Sequence, residues 1–144
     1  MNNPTLETFL NLRRTFSAPR DLVFKVWTEA EALEGWFKPQ NQQTKVVELD
    51  LRVGGGYFFE THGRSGEIGS ISGRYLEIVR PEKLVFTWIS PMTDDHETLV
   101  TLEFIEHRQA TEVVLTHERF TSEEMVAGHR FGWNWMLDQL TTFL

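Results

Sequence analysis

The sequence predicts an α+β fold: a seven-stranded antiparallel sheet covered by one long C-terminal helix. Three observations predict it. Residues alternate apolar and polar from Thr44 to His117, in runs separated by short turns. Consecutive strands with short connections pair as antiparallel hairpins. The stretch Thr121–Leu144 has no proline and carries the only apolar stripe long enough to cover such a sheet.

The elements follow in order. Met1–Pro4 reads as a frayed end. Thr8–Phe16 alternates, with Leu10, Leu12 and Phe16 on one side and Asn11, Arg13 and Thr15 on the other. It predicts a half-buried strand. Ser17-Ala18-Pro19 predicts a helix start, with Ser17 as cap and Pro19 in the first turn. This helix runs to Thr28 and buries Val23, Val26 and Trp27. Glu31–Phe37 predicts a second short helix, stopped by Gly35 and Pro39. Beyond Thr44, the set Val46, Glu48 and Asp50 alternates with Val47, Leu49 and Leu51. Gly54-Gly55-Gly56 marks a turn or bulge. Further strands are expected at Tyr57–His62, at Ile68–Val79 with a bend at Gly73, and at Leu84–Ile89. Pro91–His96 reads as a loop. Thr98–Ile105 and Thr111–His117 are the last two strands.

The final helix opens with Thr121 and Glu124 in capping-box spacing. One face carries Met125, His129, Gly132, Met136, Leu140 and Phe143, widened by Val126, Trp133, Leu137 and Leu144. Two features do not suit a helix that merely plugs a core. His129 sits in the apolar stripe. Gly128 and Gly132 lie one turn apart in the interior, where each costs about 1 kcal/mol relative to alanine.

A length of 144 residues predicts one domain, residues 1–144. The net charge of −7 disfavours nucleic acid and anionic membrane as partners. It fits a cytoplasmic protein. No cysteine is present, which excludes disulfides and thiol chemistry. Met1–Leu12 lacks the pattern of a signal peptide. No apolar run is long enough to span a membrane. The five histidines show no metal-ligand spacing, so neither metal nor cofactor is expected. The triple glycine lacks the Lys-Ser/Thr of a phosphate loop and reads as a hairpin bulge.

Several stretches carry a family likeness: Ser17-Ala18-Pro19 with Val23, Trp27-Thr28, Leu33 and Trp36-Phe37; Asp50–Gly55 followed by Tyr57; Gly73–Ile78, Pro81-Glu82 and Leu84–Trp88; and Thr111, Leu115, Thr116-His117 with His129, Gly132-Trp133, Leu137 and Leu140. In this order the chain resembles the activator-of-Hsp90-ATPase-homologue-like branch of the START/Bet v 1-like superfamily, the helix-grip fold. The resemblance implies a curved sheet gripping the last helix, with a cavity between them for a small hydrophobic molecule. The residues assigned to that cavity are Trp36, Phe59, Tyr75, Phe86, Trp88, Val100, Leu102, Leu115, His117, Met125, His129, Trp133 and Met136. Tyr57 belongs to the same aromatic set, and each of these aromatics has a plain core role as its alternative.

The leading expectation is a binder of a hydrophobic molecule without catalysis. A second is a cyclase- or hydrolase-like enzyme with His117 and His129 as acid and base. The alternative for both histidines is a hydrogen-bonded core position. A third is a stress-response module docking on an Hsp90-type chaperone. Phe131 and Trp135 fall off the main stripe. They are expected to pack against outer helices or loops, with homodimerisation through an exposed patch as the alternative.

Overall fold

The computed structural model describes residues 8–144. The frayed end expected at Met1–Pro4 lies outside the described residues. The elements run β1 (Phe9–Phe16), α1 (Arg20–Thr28), α2 (Ala30–Trp36), β2 (Gln42–Leu49), β3 (Gly56–Gly63), β4 (Ile68–Val79), β5 (Lys83–Trp88), a 3₁₀ turn (Pro91–Thr93), β6 (Thr98–His107), β7 (Ala110–Glu118) and α3 (Glu123–Phe143). The strands form one seven-stranded antiparallel sheet in the order β1-β7-β6-β5-β4-β3-β2. Strands β2 to β7 are a simple meander. β1 and β2 are consecutive strands at opposite edges, and α1 and α2 carry the chain between them. This is the helix-grip arrangement, with α3 packed on the sheet.

The alternation places the side chains. On β1, Leu10 and Phe16 are buried and Leu12 partly so. On β6, Thr98, Val100, Leu102 and Phe104 all point inward, and on β7 Val113, Leu115 and His117 do. Two bulges switch the pattern where strict alternation would misplace a residue. In β2 the register shifts between Val46 and Glu48. Val46 therefore packs on the core, and beyond the shift Leu49 and Leu51 do so too. In β4 the shift lies between Tyr75 and Glu77, which moves the inward positions from Tyr75 to Ile78. The bend expected at Gly73 is a close approach instead. A Cβ there would collide with the Thr87 carbonyl, which also accepts the Tyr57 hydroxyl.

Both expected helix caps move. α1 is capped by Pro19 with no side-chain bond, and Ser17 is exposed. Phe16–Ala18 is held to the sheet side, since Ala18 N–H bonds the Phe16 carbonyl and the Ala18 carbonyl accepts the Thr111 hydroxyl. The helix therefore starts after Ser17 has turned away. α3 is capped one residue later than expected, by Ser122, whose Oγ accepts the Met125 N–H at 3.2 Å. The Thr121 hydroxyl instead donates to Met125 Sδ at 3.3 Å. α2 runs one residue ahead of its expected bounds and includes Gly35, with Phe37 as its C-cap. The expected Pro91–His96 loop contains the 3₁₀ turn, clamped by reciprocal bonds between Ser90 and Thr93.

α2 and α3 are fastened to their neighbours. Trp36 Nε1 donates to the Val26 carbonyl at 2.8 Å, which locks α2 on α1. Arg14 on β1 reaches Asp138 at 2.7 Å and Asn134 at 3.3 Å on α3. Gln139 of α3 donates to the Lys38 carbonyl. Trp135 borders Gly35 of α2 and the segment 38–43, in line with the expected packing, whereas Phe131 is mostly exposed. The two rings stack at 6.5 Å, with Phe131 59% and Trp135 37% exposed. Among the described residues no helix is long and apolar enough to cross a membrane.

Candidate functional site

A pocket of about 350 Å³ opens between α3, the β3–β4 hairpin and the 3₁₀ turn. Its existence follows from small residues on both sides. α3 presents Gly128 and Gly132, and β4 presents Gly69 and Ser70. Interiors pack closely wherever side chains can interdigitate, so a gap of this size needs bare backbone on facing walls. A Cβ at Gly132 would meet nothing within 4 Å, and one at Gly128 would only touch Met92 Cε at 3.4 Å. Ile71, Trp88, Trp133 and Met136 form the apolar floor and sides, while Ile68, Met92 and Glu67 stand exposed at the mouth.

Four residues assigned to the cavity from sequence border this pocket: Trp88, His129, Trp133 and Met136. Phe59, Tyr75 and Phe86 instead surround, with Tyr57, a separate void of about 20 Å³. That space holds no more than about one water. Trp36, Val100, Leu102 and Leu115 are fully buried core residues that border neither space. Met125 lies half-buried at the start of α3, off the pocket wall. The sequence reasoning missed the mouth and one wall: Pro39, Gln42, Thr61, Ile68, Pro91 and Met92. The glycines of α3 were the signal available for the other wall.

The two histidines have different surroundings. His117 is fully buried in a directed chain of hydrogen bonds. Trp133 Nε1–H donates to its Nδ1 at 3.1 Å. The Thr98 hydroxyl gives its only proton to the Trp88 carbonyl at 2.7 Å, so it can only accept from His117. His117 Nε2, 2.7 Å away, therefore carries the proton. The tautomer is set and both nitrogens are engaged. Burial, and then the neighbouring His129, hold this imidazole well below the ordinary histidine range. It is a neutral link joining α3, β7, β6 and β5, with no nitrogen free for a ligand.

His129 lies 5.1 Å from His117, ring to ring, on the pocket wall. Its Nδ1 sits 2.7 Å from the Met125 carbonyl, which can only accept, so Nδ1 carries the proton. Nε2 is then a bare acceptor, and it is buried without a protein partner. Burial lowers the affinity of this ring for a second proton, and the Met125 bond only partly opposes that. Trp88, which borders both this pocket and the small void, likewise has its Nε1–H buried without a partner. Among the described residues no group of three or more potential metal ligands converges.

The glycine at 132 allows a direct check on the pocket wall. Gly132→Ala is expected to raise stability by about 1 kcal/mol, because the methyl meets nothing and the helix gains propensity. Urea unfolding measures it. A loss of stability would mean that the wall is closed by contacts absent here.

Comparison with solved structures places the fold among bacterial proteins. A protein from Chromobacterium violaceum is 28% identical, with a TM-score of 0.85, over 94% of this chain and 95% of that one. One from Staphylococcus epidermidis is 26% identical with a TM-score of 0.81, over 100% of this chain and 93% of that one. CalU16 from Micromonospora echinospora is 27% identical with a TM-score of 0.71, over 94% of this chain and 74% of that one. No curated protein matches the chain. The sheet order and the gripped helix agree with the family model that covers residues 17–144, and by it the chain belongs to the Activator of Hsp90 ATPase homolog 1-like protein family.

Proposed function

We propose that the chain binds a small, mainly apolar molecule in the pocket between α3 and the β3–β4 hairpin, without catalysing its conversion. The observation that carries this reading is Gly132. A helix with a glycine where a methyl group would meet nothing within 4 Å gives up stability and leaves the space open. The pocket size lies in the range that small-molecule sites occupy. His117 is spent on structure, so the acid–base pair that a cyclase- or hydrolase-like mechanism would use is reduced to one histidine.

A thermal-shift screen of neutral aromatic and aliphatic compounds tests the reading, together with native mass spectrometry of protein taken gently from its own cells. Ligand at a hundred times its Kd is expected to stabilise the protein by about 2.7 kcal/mol. Gly132→Leu is expected to fold, to melt at or above the wild-type temperature, and to lose the ligand shift. A screen without any shift and a native mass without any addition would sink the proposal.

The family supports a second reading, docking on an Hsp90-type chaperone, for which the exposed pair Phe131 and Trp135 would be a candidate surface. Its test is the ATPase rate of the Hsp90 homologue from the same cells. A rate unchanged by a molar excess of this protein would remove it.

A further inference from the structure

We propose, resting on the ligand-binding reading above, that the guest is an amphiphile with an anionic end. Its apolar body fills the pocket, and its anionic group lies in an adjoining groove against Lys38 and Arg64. The groove has a volume of about 480 Å³. It adjoins the pocket along three segments of the chain. Pro39 and Gln42 line both spaces, and neither residue is buried. On β3, Thr61 lines the pocket, and His62 and Gly63 line the groove. On α3, Gly132 and Met136 line the pocket, and Trp135 and Gln139 line the groove. The groove thus continues the pocket toward the C-terminal end of α3.

The two spaces differ in charge. Among the described residues no lysine or arginine lines the pocket, and Glu67 is the one carboxylate on its wall. The unpartnered polar atoms beside it, His129 Nε2 and Trp88 Nε1, are sealed from the space. An unpaired charge is costly to bury, so an ionised end of a guest stays outside. The groove has the opposite lining. It carries Lys38, Arg64 and His62 and no carboxylate, on a chain with 21 acidic residues and 14 lysines and arginines. That reverses the balance of the chain as a whole.

Neighbouring groups narrow the head-group site to two cations. His62 Nε2 lies 3.1 Å from Glu60 Oε1 and is already engaged. Lys38 and Arg64 make no ion pair among the described residues. Arg64 is exposed and Lys38 half-buried, so a ligand in the groove can reach both. The Lys38 carbonyl accepts from Gln139, which ties the backbone that carries the ammonium to α3. Glu67 stands against Gly63 at the pocket mouth. It opposes an anion on its own side of the mouth and leaves the side of Lys38 and Arg64 as the favourable one.

The test compares decanoate, 1-decanol and decyltrimethylammonium, which share one alkyl chain, each below its micelle concentration. Titration calorimetry at pH 7.5 gives the affinities. Decanoate is expected to bind about fivefold more tightly than 1-decanol, the worth of two partly exposed ion pairs, and decyltrimethylammonium least tightly. Added salt is expected to weaken decanoate and to leave 1-decanol unchanged. The double variant Lys38→Gln/Arg64→Gln, which removes no ion pair of the described residues, is expected to bind decanoate no better than 1-decanol. Gly132→Leu, which fills the pocket, is expected to lose all three. Equal affinity of the wild type for decanoate and 1-decanol, a preference that salt leaves unchanged, or a preference kept by the double variant overturns the anionic-end inference and leaves the pocket reading standing. Decanoate still held by Gly132→Leu overturns the arrangement across pocket and groove. Binding of none of the three overturns this inference, and the pocket reading falls with it only where the wider screen and the native mass above are blank as well.

Discussion

Replacing His117 with leucine is expected to lower the unfolding free energy by about 3 kcal/mol, although the two side chains are close in volume. The loss comes from what remains behind. Trp133 Nε1–H, now bonded to His117 Nδ1 at 3.1 Å, would be a buried donor with no acceptor. Thr98 would keep its bond to the Trp88 carbonyl and lose the one it accepts. An orphaned buried group costs roughly 1–3 kcal/mol, more than the bond itself contributes. A double-mutant cycle with Thr98→Val separates the terms, and its coupling energy is expected at about 1–2 kcal/mol because the two side chains share a bond. Urea unfolding at pH 7.5 measures all four proteins. A loss under about 1 kcal/mol for His117→Leu would show that the leucine surface replaces the chain of bonds in full.

Acid sensitivity is the second large effect. His117 and His129 are both held below the ordinary histidine value of 6.5 by burial. Above that value both states are neutral, and stability does not depend on these rings. Below it the unfolded chain takes up protons that the folded chain refuses. Stability therefore falls as pH drops below about 6.5 and continues to fall until the folded rings themselves protonate. With His117 neutral in the folded state, unfolding takes up about one proton at that ring, a slope of roughly 1.4 kcal/mol per pH unit, and His129 adds to it in the same direction. The window lies above the range where carboxylates titrate. Urea midpoints at pH 7.5, 6.5 and 5.5 measure it, and His117→Leu is expected to remove about one proton from the uptake. A stability that stays flat from pH 7 to pH 5 would refute the assignment of both rings as neutral.

These effects turn on contacts between segments far apart in sequence, and that is where the limits of sequence reading lie. Strand alternation was legible, because period-two patterns such as Val100, Leu102 and Phe104 record one buried face directly. The long helix was legible for the same reason. The bulges were not, since Val46 followed by Leu49 and Leu51 reads as one broken pattern until pairing shows the extra residue. The caps moved by a few positions, because Ser17, Thr121 and Ser122 offer the same hydroxyl chemistry and only the chain path chooses between them. At the site, burial was legible and its purpose was not. Phe59, Tyr75 and Phe86 have the same composition signal as Trp88 and Trp133, yet they close on one another. The pocket is defined by absences, at Gly69, Gly128 and Gly132, and by hairpin residues whose positions depend on how the sheet curls. The glycines within the helix were the one advance sign of that space.

The indole cluster gives the molecule an optical property. Trp27 and Trp36 lie 4.6 Å apart between ring centroids, Trp27 and Trp133 lie 6.0 Å apart, and Trp133 and Trp88 lie 5.1 Å apart. At such spacings the four rings share excitation, and emission leaves from whichever site traps it. Two of the four border the pocket, so a guest that quenches Trp88 or Trp133 drains light absorbed by Trp27 and Trp36 too.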